Sequence, residues 1–402
     1  MAFPVTAAEA FVTISWLVAL GWLWQAVTAL WGVRQLPDLT KIEGILPLLP
    51  PNDGPQISVI VPARNEEETI QSTLLSLLAS EGIRLQIIVV NDRSADRTGE
   101  RMEEVSKEAT AAGGRHSLEV QHICALPAGW LGKPHAMAQA AQRATAPWIL
   151  FTDGDVLFQP HALELALREA KATKADHMIL IPSLILHTTG ERAMLAAMQA
   201  LSQWAVRLWK VADPGTRDFL GVGGFNLIRR EVYEQLGGFA SLRMEVLDDL
   251  RLGWKVKRGG FAQRVALGPG LVRIRWLHGA LAVVRLVEKN GFAVCRFRTI
   301  LMLLTCLGIA MQSVWPLLAL AAGGWSSMAG LATYVGITSV YAANRRVAQV
   351  GPWAALFFAP AAALIAFAFL RSMLLALVRD GIVWRGTHYP LAELRRHAGP
   401  IW

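Results

Sequence analysis

Residues 57–80 read ISVIVPARNEEETIQSTLLSLLAS. Ile57–Val61 is a short β-branched apolar run, and Pro62 closes it, so it reads as a buried strand. Asn65 is placed to cap a helix, with Glu68 three residues on and an acidic first turn, a variant of the capping box. Ile70, Leu74, Leu77 and Leu78 then mark one helical face. The same alternation continues down the chain. QIIVV (86–90) is a second strand ending at NDRSAD (91–96), where Ser94 can cap the next helix. LEVQHI (118–123) is a third strand. A helix over 134–145 leads to a fourth, WILF (148–151), and helix 160–171 and strand 178–182 follow. Strands alternating with helices predict a mostly parallel sheet covered on both faces, an α/β fold.

In such sheets ligands bind beyond the carboxyl ends of the strands. PARNE (62–66), NDRSAD (91–96) and TDGDV (152–156) all fall at strand carboxyl ends, so three polar clusters converge on one rim. Each alone is equally a solvated loop with helix caps. Neither a Walker A loop nor G-x-G-x-x-G follows the first strand, so a phosphate ligand would need a metal or basic side chains. Asp153-Gly154-Asp155 is the chain's one Asp-x-Asp. Paired carboxylates suit Mg²⁺ or Mn²⁺, which commonly bridge to substrate phosphates.

The chain has 402 residues, 53% of them hydrophobic, and a mean hydropathy of +0.36. The apolar residues are unevenly spread. Residues 11–33 carry no charge and exceed the roughly 20 residues that cross a bilayer. MAFPVTAAEA ahead of them lacks Lys and Arg, which favours a retained anchor over a signal peptide. Further apolar stretches lie near 300–323, 327–343 and 353–378, the last containing Pro360 as a possible break into a hairpin or interfacial helix. Arg34, Lys41, Arg296 and Arg298 flank the spans and place the middle domain in the cytoplasm of an inner-membrane, multi-pass protein. The net charge of +8 is read as attraction to anionic lipid, not to nucleic acid. Cys124, Cys295 and Cys306 have neither disulfide-framework nor zinc spacing.

The expected organisation is an N-terminal transmembrane anchor (1–34), a linker (35–54), a catalytic domain (55–298), a transmembrane region (299–378) of two to four helices, and a tail (379–402). VIVPARNEE, VVNDRSADRT, GWLGKPHAMAQA, ILFTDGDVLF, VGGFNLIRREVYEQLGGF and VLDDLRLGWKVKRGGF, in that order over 55–290, resemble the family 2 glycosyltransferases of the GT-A (Rossmann-like) fold. The membrane layout is similar to hopanoid-associated, ceramide-glucosyltransferase-like and carotenoid members. The resemblance implies sugar transfer, with inversion, from a nucleotide diphosphate-sugar, assisted by a divalent metal (Mg²⁺ or Mn²⁺). It implies that Pro62, Ala63, Arg64 and Glu66 line the nucleoside pocket and that Asp92 contacts base or ribose. Lys133 would face the diphosphate, Asp153 the donor ribose and metal, and Asp155 the metal. Asp249 would be the general base, with Asp248 standing where the family has Glu. Helix capping by this acidic pair is the bland alternative.

Arg275-Trp276 resembles the Arg-Trp end of a Q/R-x-x-R-W motif, but Val272 occupies its first position. Those two residues are as readily an interfacial anchor as an acceptor or diphosphate contact. Residues 191–211, with Met194, Met198, Leu201, Ala205 and Leu208 on one face, and the basic stretch 271–298 read as amphipathic helices that hold the site's rim at the bilayer. Ordinary core helices are the alternative. The expected function is transfer of a sugar to a lipid or membrane-associated acceptor. A processive polysaccharide synthase and a non-catalytic nucleotide-sugar-binding membrane protein are the rivals.

Overall fold

The computed structural model describes residues 6–42, 54–276 and 279–400. The chain divides into two compact units: residues 36–185 with 208–276, and residues 1–35 with 186–207 and 277–402.

The first unit is built on strands β1 (Ile57–Ala63), β2 (Leu85–Asp92), β3 (Ser117–Ile123), β4 (Trp148–Phe151), β5 (Val156–Phe158), β6 (His177–Ile181), β7 (Ser183–Leu184), β8 (Asn226–Arg229), β9 (Gln263–Leu267) and β10 (Val272–Ile274). Seven of them form one sheet in the order β3-β2-β1-β4-β8-β6-β9. Only β8 runs antiparallel to its neighbours. The expected mostly parallel sheet is thus present. Both faces are buried, with strict alternation. Val59, Val61, Ile87, Val89 and Leu150 join one core, and Ile60, Ile88, Val90, Ile149 and Phe151 the other. The chain runs outward from β1 to β3 and returns to β4 on the far side of β1, so the strand order reverses between β1 and β4. That reversal opens the crevice in which α/β sheets bind ligands, and both Arg64 and Asp153 lie just past it.

Local differences from the expected elements have physical causes. β1 runs through Pro62 to Ala63. The β4 ladder has ended at Ile60, leaving Pro62 paired only with β2, so its missing N–H falls where one neighbour is absent. Asn65 and Ser94 do not cap helices. The Asn65 side chain accepts the Ala95 N–H at 2.8 Å, and the Ser94 hydroxyl accepts the Asn65 N–H at 3.1 Å. The loops after β1 and β2 are thereby tied to each other. The expected amphipathic helix over 271–298 is two elements: β10, in a small sheet of order β5-β10-β7, and a helix Ala282–Val294. The helix expected over 191–211 spans Thr189–Ser202, so Ala205 and Leu208 do not share its face. In the expected linker, residues 43–53 lie outside the described ones; ahead of them Asp38 bridges to Leu267 and Leu39 is buried in the sheet's core.

In the second unit three helical segments, Ala7–Gln35, Thr299–Ala322 and Pro352–Val378, are long and apolar enough to cross a membrane. Pro360 does not break the last of them. It occupies the first turn of the helix Phe358–Val378, where a missing N–H costs nothing. The helix Gly324–Ala343 packs on Ala7–Gly32. A β-carbon on Gly336 would lie 2.9 Å from the Trp22 backbone carbonyl carbon, so only a glycine admits this approach. Buried amides link Gln203 to Gln25 (3.0 Å) and to Asn344 (2.9 Å). The tail carries an unforeseen hairpin, β11 (Gly381–Trp384) and β12 (Thr387–Pro390), and a helix Leu391–His397.

A buried histidine joins three strands of the large sheet. His177 is fully buried; its Nε2 lies 3.0 Å from Asn226 Oδ1 and its Nδ1 2.7 Å from Gln263 Nε2. Gln263 donates, so Nδ1 accepts and the ring is neutral. Burial drags its pKa down to about 4, against a smaller upward pull from Asn226. Because the folded value lies below the unfolded one of about 6.5, the unfolded chain binds the extra proton as pH falls between them. His177 therefore contributes stability above pH 6.5 that is lost progressively towards pH 4, with a limiting slope of ~1.4 kcal/mol per pH unit. Thermal unfolding of His177→Gln should show a flatter pH dependence across that window than the natural protein; parallel profiles would refute the assignment.

Candidate active site

The rim beyond β1, β2 and β4 gathers most of the residues singled out from the sequence. Lys133 stands in the first turn of the helix Gly132–Ala141, and Asp153 follows β4. The Lys133 ammonium donates to Asp153 Oδ1 at 2.5 Å and lies 4.0 Å from Asp248 Oδ2. Burial pulls the lysine's pKa down, but Asp153, Asp248 and Asp249 outweigh it and raise the group above the ordinary lysine range. One fixed cation thus faces three carboxylates.

Two of those carboxylates open the helix Asp248–Arg258, whose N-cap position is Leu247. Neither acid is the N-cap residue, although Asp249 Oδ1 accepts the N–H of Leu250 at 2.7 Å. A helix N-terminus favours negative charge, which suits two adjacent acids. Asp248 is buried and Asp249 half-buried.

Glycines set the spacing. A β-carbon on Gly223 would lie 2.6 Å from Asp153 Oδ2 and 3.4 Å from both Asp249 Oδ2 and Lys133 Nζ. The ends of Asp153, Asp249 and Lys133 therefore converge on the small space beside Gly223, which an added methyl group would more than fill. A β-carbon on Gly221 would come within 1.8 Å of the Asp249 carbonyl oxygen, and one on Gly253 within 1.9 Å of the Leu220 carbonyl oxygen. Backbone runs directly on backbone there, and this contact fixes where the helix carrying Asp249 begins.

On the other flank, Asp155 belongs to the same turn. Burial, then Asp153, then Glu66 push its carboxyl up to about 7, with Lys133 pulling weakly the other way. Gly154 packs against Ala63, and the Thr73 hydroxyl donates to the Gly154 carbonyl at 2.9 Å. Pro62 and Ala63 are buried at the end of β1, with Arg64 and Glu66 half-exposed beyond it. Among the described residues no group of three or more His, Cys, Asp or Glu is arranged to hold a metal ion. The donor set still fits Mg²⁺ or Mn²⁺. Such ions are commonly held by one or two carboxylates together with substrate phosphates, and Asp155 is a half-buried acid pressed by two others.

Asp92 is buried at the end of β2 and receives two hydrogen bonds from Arg93, at 2.7 and 3.0 Å. Arg93 holds a left-handed backbone, φ 55°. A β-carbon on Gly132 would lie 2.7 Å from both members of this pair, so the pair packs on the start of the Lys133 helix. His135, two residues past Lys133, is buried edge-on to Trp130 at 5.4 Å, and its pKa is lowered by burial with Asp92 opposing. Neither Arg93 nor His135 was singled out from the sequence. Their adjacency to Asp92 and Lys133 in NDRSAD and GKPHA was the available signal.

Arg275 and Trp276 follow β10. The antiparallel register pairs Val272 with Phe158 and Ile274 with Val156, so the strand pair ends with Arg275 following β10 and Asp155 preceding β5. Trp276 is exposed.

The glycosyl transferase family 2 model matches residues 58–237. The 4,4'-diaponeurosporenoate glycosyltransferase of Staphylococcus aureus (strain USA300) is 24% identical over 198 residues, 49% of this chain and 50% of that protein. The chain thus spans about half the length of the curated relatives it matches. Among solved structures, the mannosyltransferase PcManGT from Pyrobaculum calidifontis, in complex with GDP-Man and Mn²⁺, is 16% identical with a TM-score of 0.54, covering 92% of this chain and 99% of that one. That likeness is one of fold. The segment that matches the glycosyl transferase family 2 model, residues 58–237, is laid out on a GT-A-like, mostly parallel sheet.

Proposed function

We propose that the protein is an inverting glycosyltransferase that moves a sugar from a nucleoside diphosphate-sugar to a lipid acceptor. The observation that carries this reading is the space at Gly223, bounded by Asp153, Asp249 and Lys133. A donor-side acid, a donor-side cation and an acceptor-side base surround one small gap, which is what direct displacement at an anomeric carbon needs. In this reading Asp249 takes the acceptor hydroxyl proton as the oxygen attacks, while the bond from the anomeric carbon to the diphosphate oxygen breaks. Lys133 balances charge on the departing diphosphate, and Arg275, which follows the end of β10 next to the turn of Asp155, would share that task. No covalent enzyme intermediate is required.

Asp153 and Asp155 would hold the divalent cation, which supplies further charge neutralisation at the diphosphate; the solved relative in complex with Mn²⁺ supports this choice. Pro62, Ala63, Arg64, Glu66 and Asp92 would line the nucleoside side, with Arg93 joining them. The lipid acceptor is supported by the three candidate spans and by the relative named for 4,4'-diaponeurosporenoate. Those spans, with Arg34, Lys41, Arg296 and Arg298 beside them, support placement in the inner membrane with a cytoplasmic catalytic domain. The domain boundaries expected from the sequence, with a catalytic domain over 55–298, belong to this same proposal.

The test is nucleoside diphosphate release from a panel of GDP- and UDP-sugars with a total lipid extract as acceptor. Asp249→Asn is expected to keep donor binding and to lose roughly 10²–10⁴-fold in transfer; full transfer would refute the role of Asp249. Asp155→Ala should raise the concentration of Mn²⁺ or Mg²⁺ needed for half-maximal rate, and an unchanged metal titration would remove it from the ligand set. Gly223→Ala should abolish most transfer while the unfolding temperature moves by only a few degrees, since the added methyl intrudes on the gap and not on the core. Wild-type turnover in that variant would show that the gap is not where the reactants sit.

A further inference from the structure

The mechanism proposed above leaves one buried polar assembly unused. It begins with Asn226 on β8, passes through His177 on β6 and reaches Gln263 on β9. All three side chains are at least 98% buried. Gln263 ends the chain by gripping the backbone of one residue on both sides. Its Oε1 accepts the Leu220 N–H at 3.0 Å, and its Nε2 donates to the Leu220 carbonyl at 2.9 Å. A side-chain amide here takes the part that a neighbouring strand would otherwise take.

Leu220 is the residue whose carbonyl lies against Gly253, and its neighbour Gly221 lies against the Asp249 carbonyl. The gripped segment therefore abuts the helix Asp248–Arg258 at its first turn and again one turn later. Two residues further on, Gly223 borders the gap between Asp153 and Asp249. We propose that Gln263 is a positioning residue for Asp249: its amide clamps the Leu220 backbone, which seats the first turn of the helix bearing the base, and His177 dictates which way that amide points. This rests on the reading of Asp249 as the base.

The orientation argument is a matter of donors and acceptors. With Nε2–H of His177 committed to Asn226 Oδ1, Nδ1 offers only a lone pair, so Gln263 must turn its NH₂ that way. Its Oε1 then faces the Leu220 N–H. The opposite orientation would set Oε1 against both the His177 lone pair and the Leu220 carbonyl, leaving buried groups unpaired. Lys133 and Asp153 stand on other elements, the helix Gly132–Ala141 and the end of β4. Loss of the clamp should therefore displace the base more than the donor-binding residues.

The experiment compares Gln263→Leu, His177→Leu, His177→Gln and Asp249→Asn in the full-length protein. The probe is whichever of GDP-mannose, UDP-glucose and UDP-N-acetylglucosamine turns over with Mn²⁺ and a total lipid extract. The leucine variants should lose roughly 10–100-fold in kcat, the scale of an ångström-sized misplacement, with donor KM within about threefold. His177→Gln, which keeps a donor and an acceptor, should stay within about threefold in kcat. Hydrogen–deuterium exchange should quicken at 220–222 and 247–251 in the leucine variants and not across β1 and β2. Normal kcat in Gln263→Leu while Asp249→Asn is dead, or unchanged exchange at those two segments, would overturn the clamp. A general fall in protection with KM and kcat moving together would reduce Gln263 to a packing residue. Activity in Asp249→Asn would refute the base instead, and the exchange data would then judge the clamp alone.

Discussion

One ammonium group organises the rim. Lys133 is held between Asp153, which follows β4, and Asp248 and Asp249, which open a helix almost a hundred residues later. Without a cation between them these carboxylates would repel, and partly buried like charges are costly. With it, the two halves of the site are drawn to one distance, and the distance is small enough that a single β-carbon at Gly223 would fill it. The rest of the domain serves that convergence. The strand reversal between β1 and β4 opens the crevice, and glycines at 221 and 253 let the acid-bearing helix approach on bare backbone.

Much of this was legible in the sequence, for a specific reason. Strands buried on both faces must be apolar at nearly every position, so IIVV and WILF stand out without any neighbour being known. Their carboxyl ends then locate the polar loops, and β4 falls on the expected residues. The same logic failed where the partner of a segment is remote. Asn65 and Ser94 look like helix caps locally, yet they bond to each other's loops. Residues 272–274 look like the start of a basic amphipathic helix, yet they complete a small sheet with β5 and β7. The C-terminal hairpin has no strong β pattern and pairs only with itself. Pro360 reads as a break until its position in the helix is known.

The site residues divide the same way. Asp92, Lys133, Asp153, Asp155 and Asp249 carry charge beside short motifs, so a reader can pick them out. Gly223, His177 and Gln263 cannot be picked out, because their importance lies in what they touch. A glycine is informative only once the atoms around its missing side chain are known. A glutamine on a strand looks like a solvent-facing side chain until its two amide atoms are found on the backbone of one distant residue.

Electrostatics also bears on how such a site accepts a diphosphate. Burial first, then Asp153 and Glu66, push the Asp155 carboxyl up to about 7, and the Lys133 charge is shared among three acids. An incoming diphosphate adds negative charge to a surface whose nearest fixed cation is fully engaged. Under the proposed function, two contributions would restore balance: a divalent cation, which Asp153 and Asp155 would hold and which would supply positive charge at the phosphates, and Lys133 itself, turned from the carboxylates towards the phosphates. The Lys133–Asp153 contact would then be the resting arrangement of a group whose working partner is the donor, and the acids in excess around it would be the ones that a cation needs.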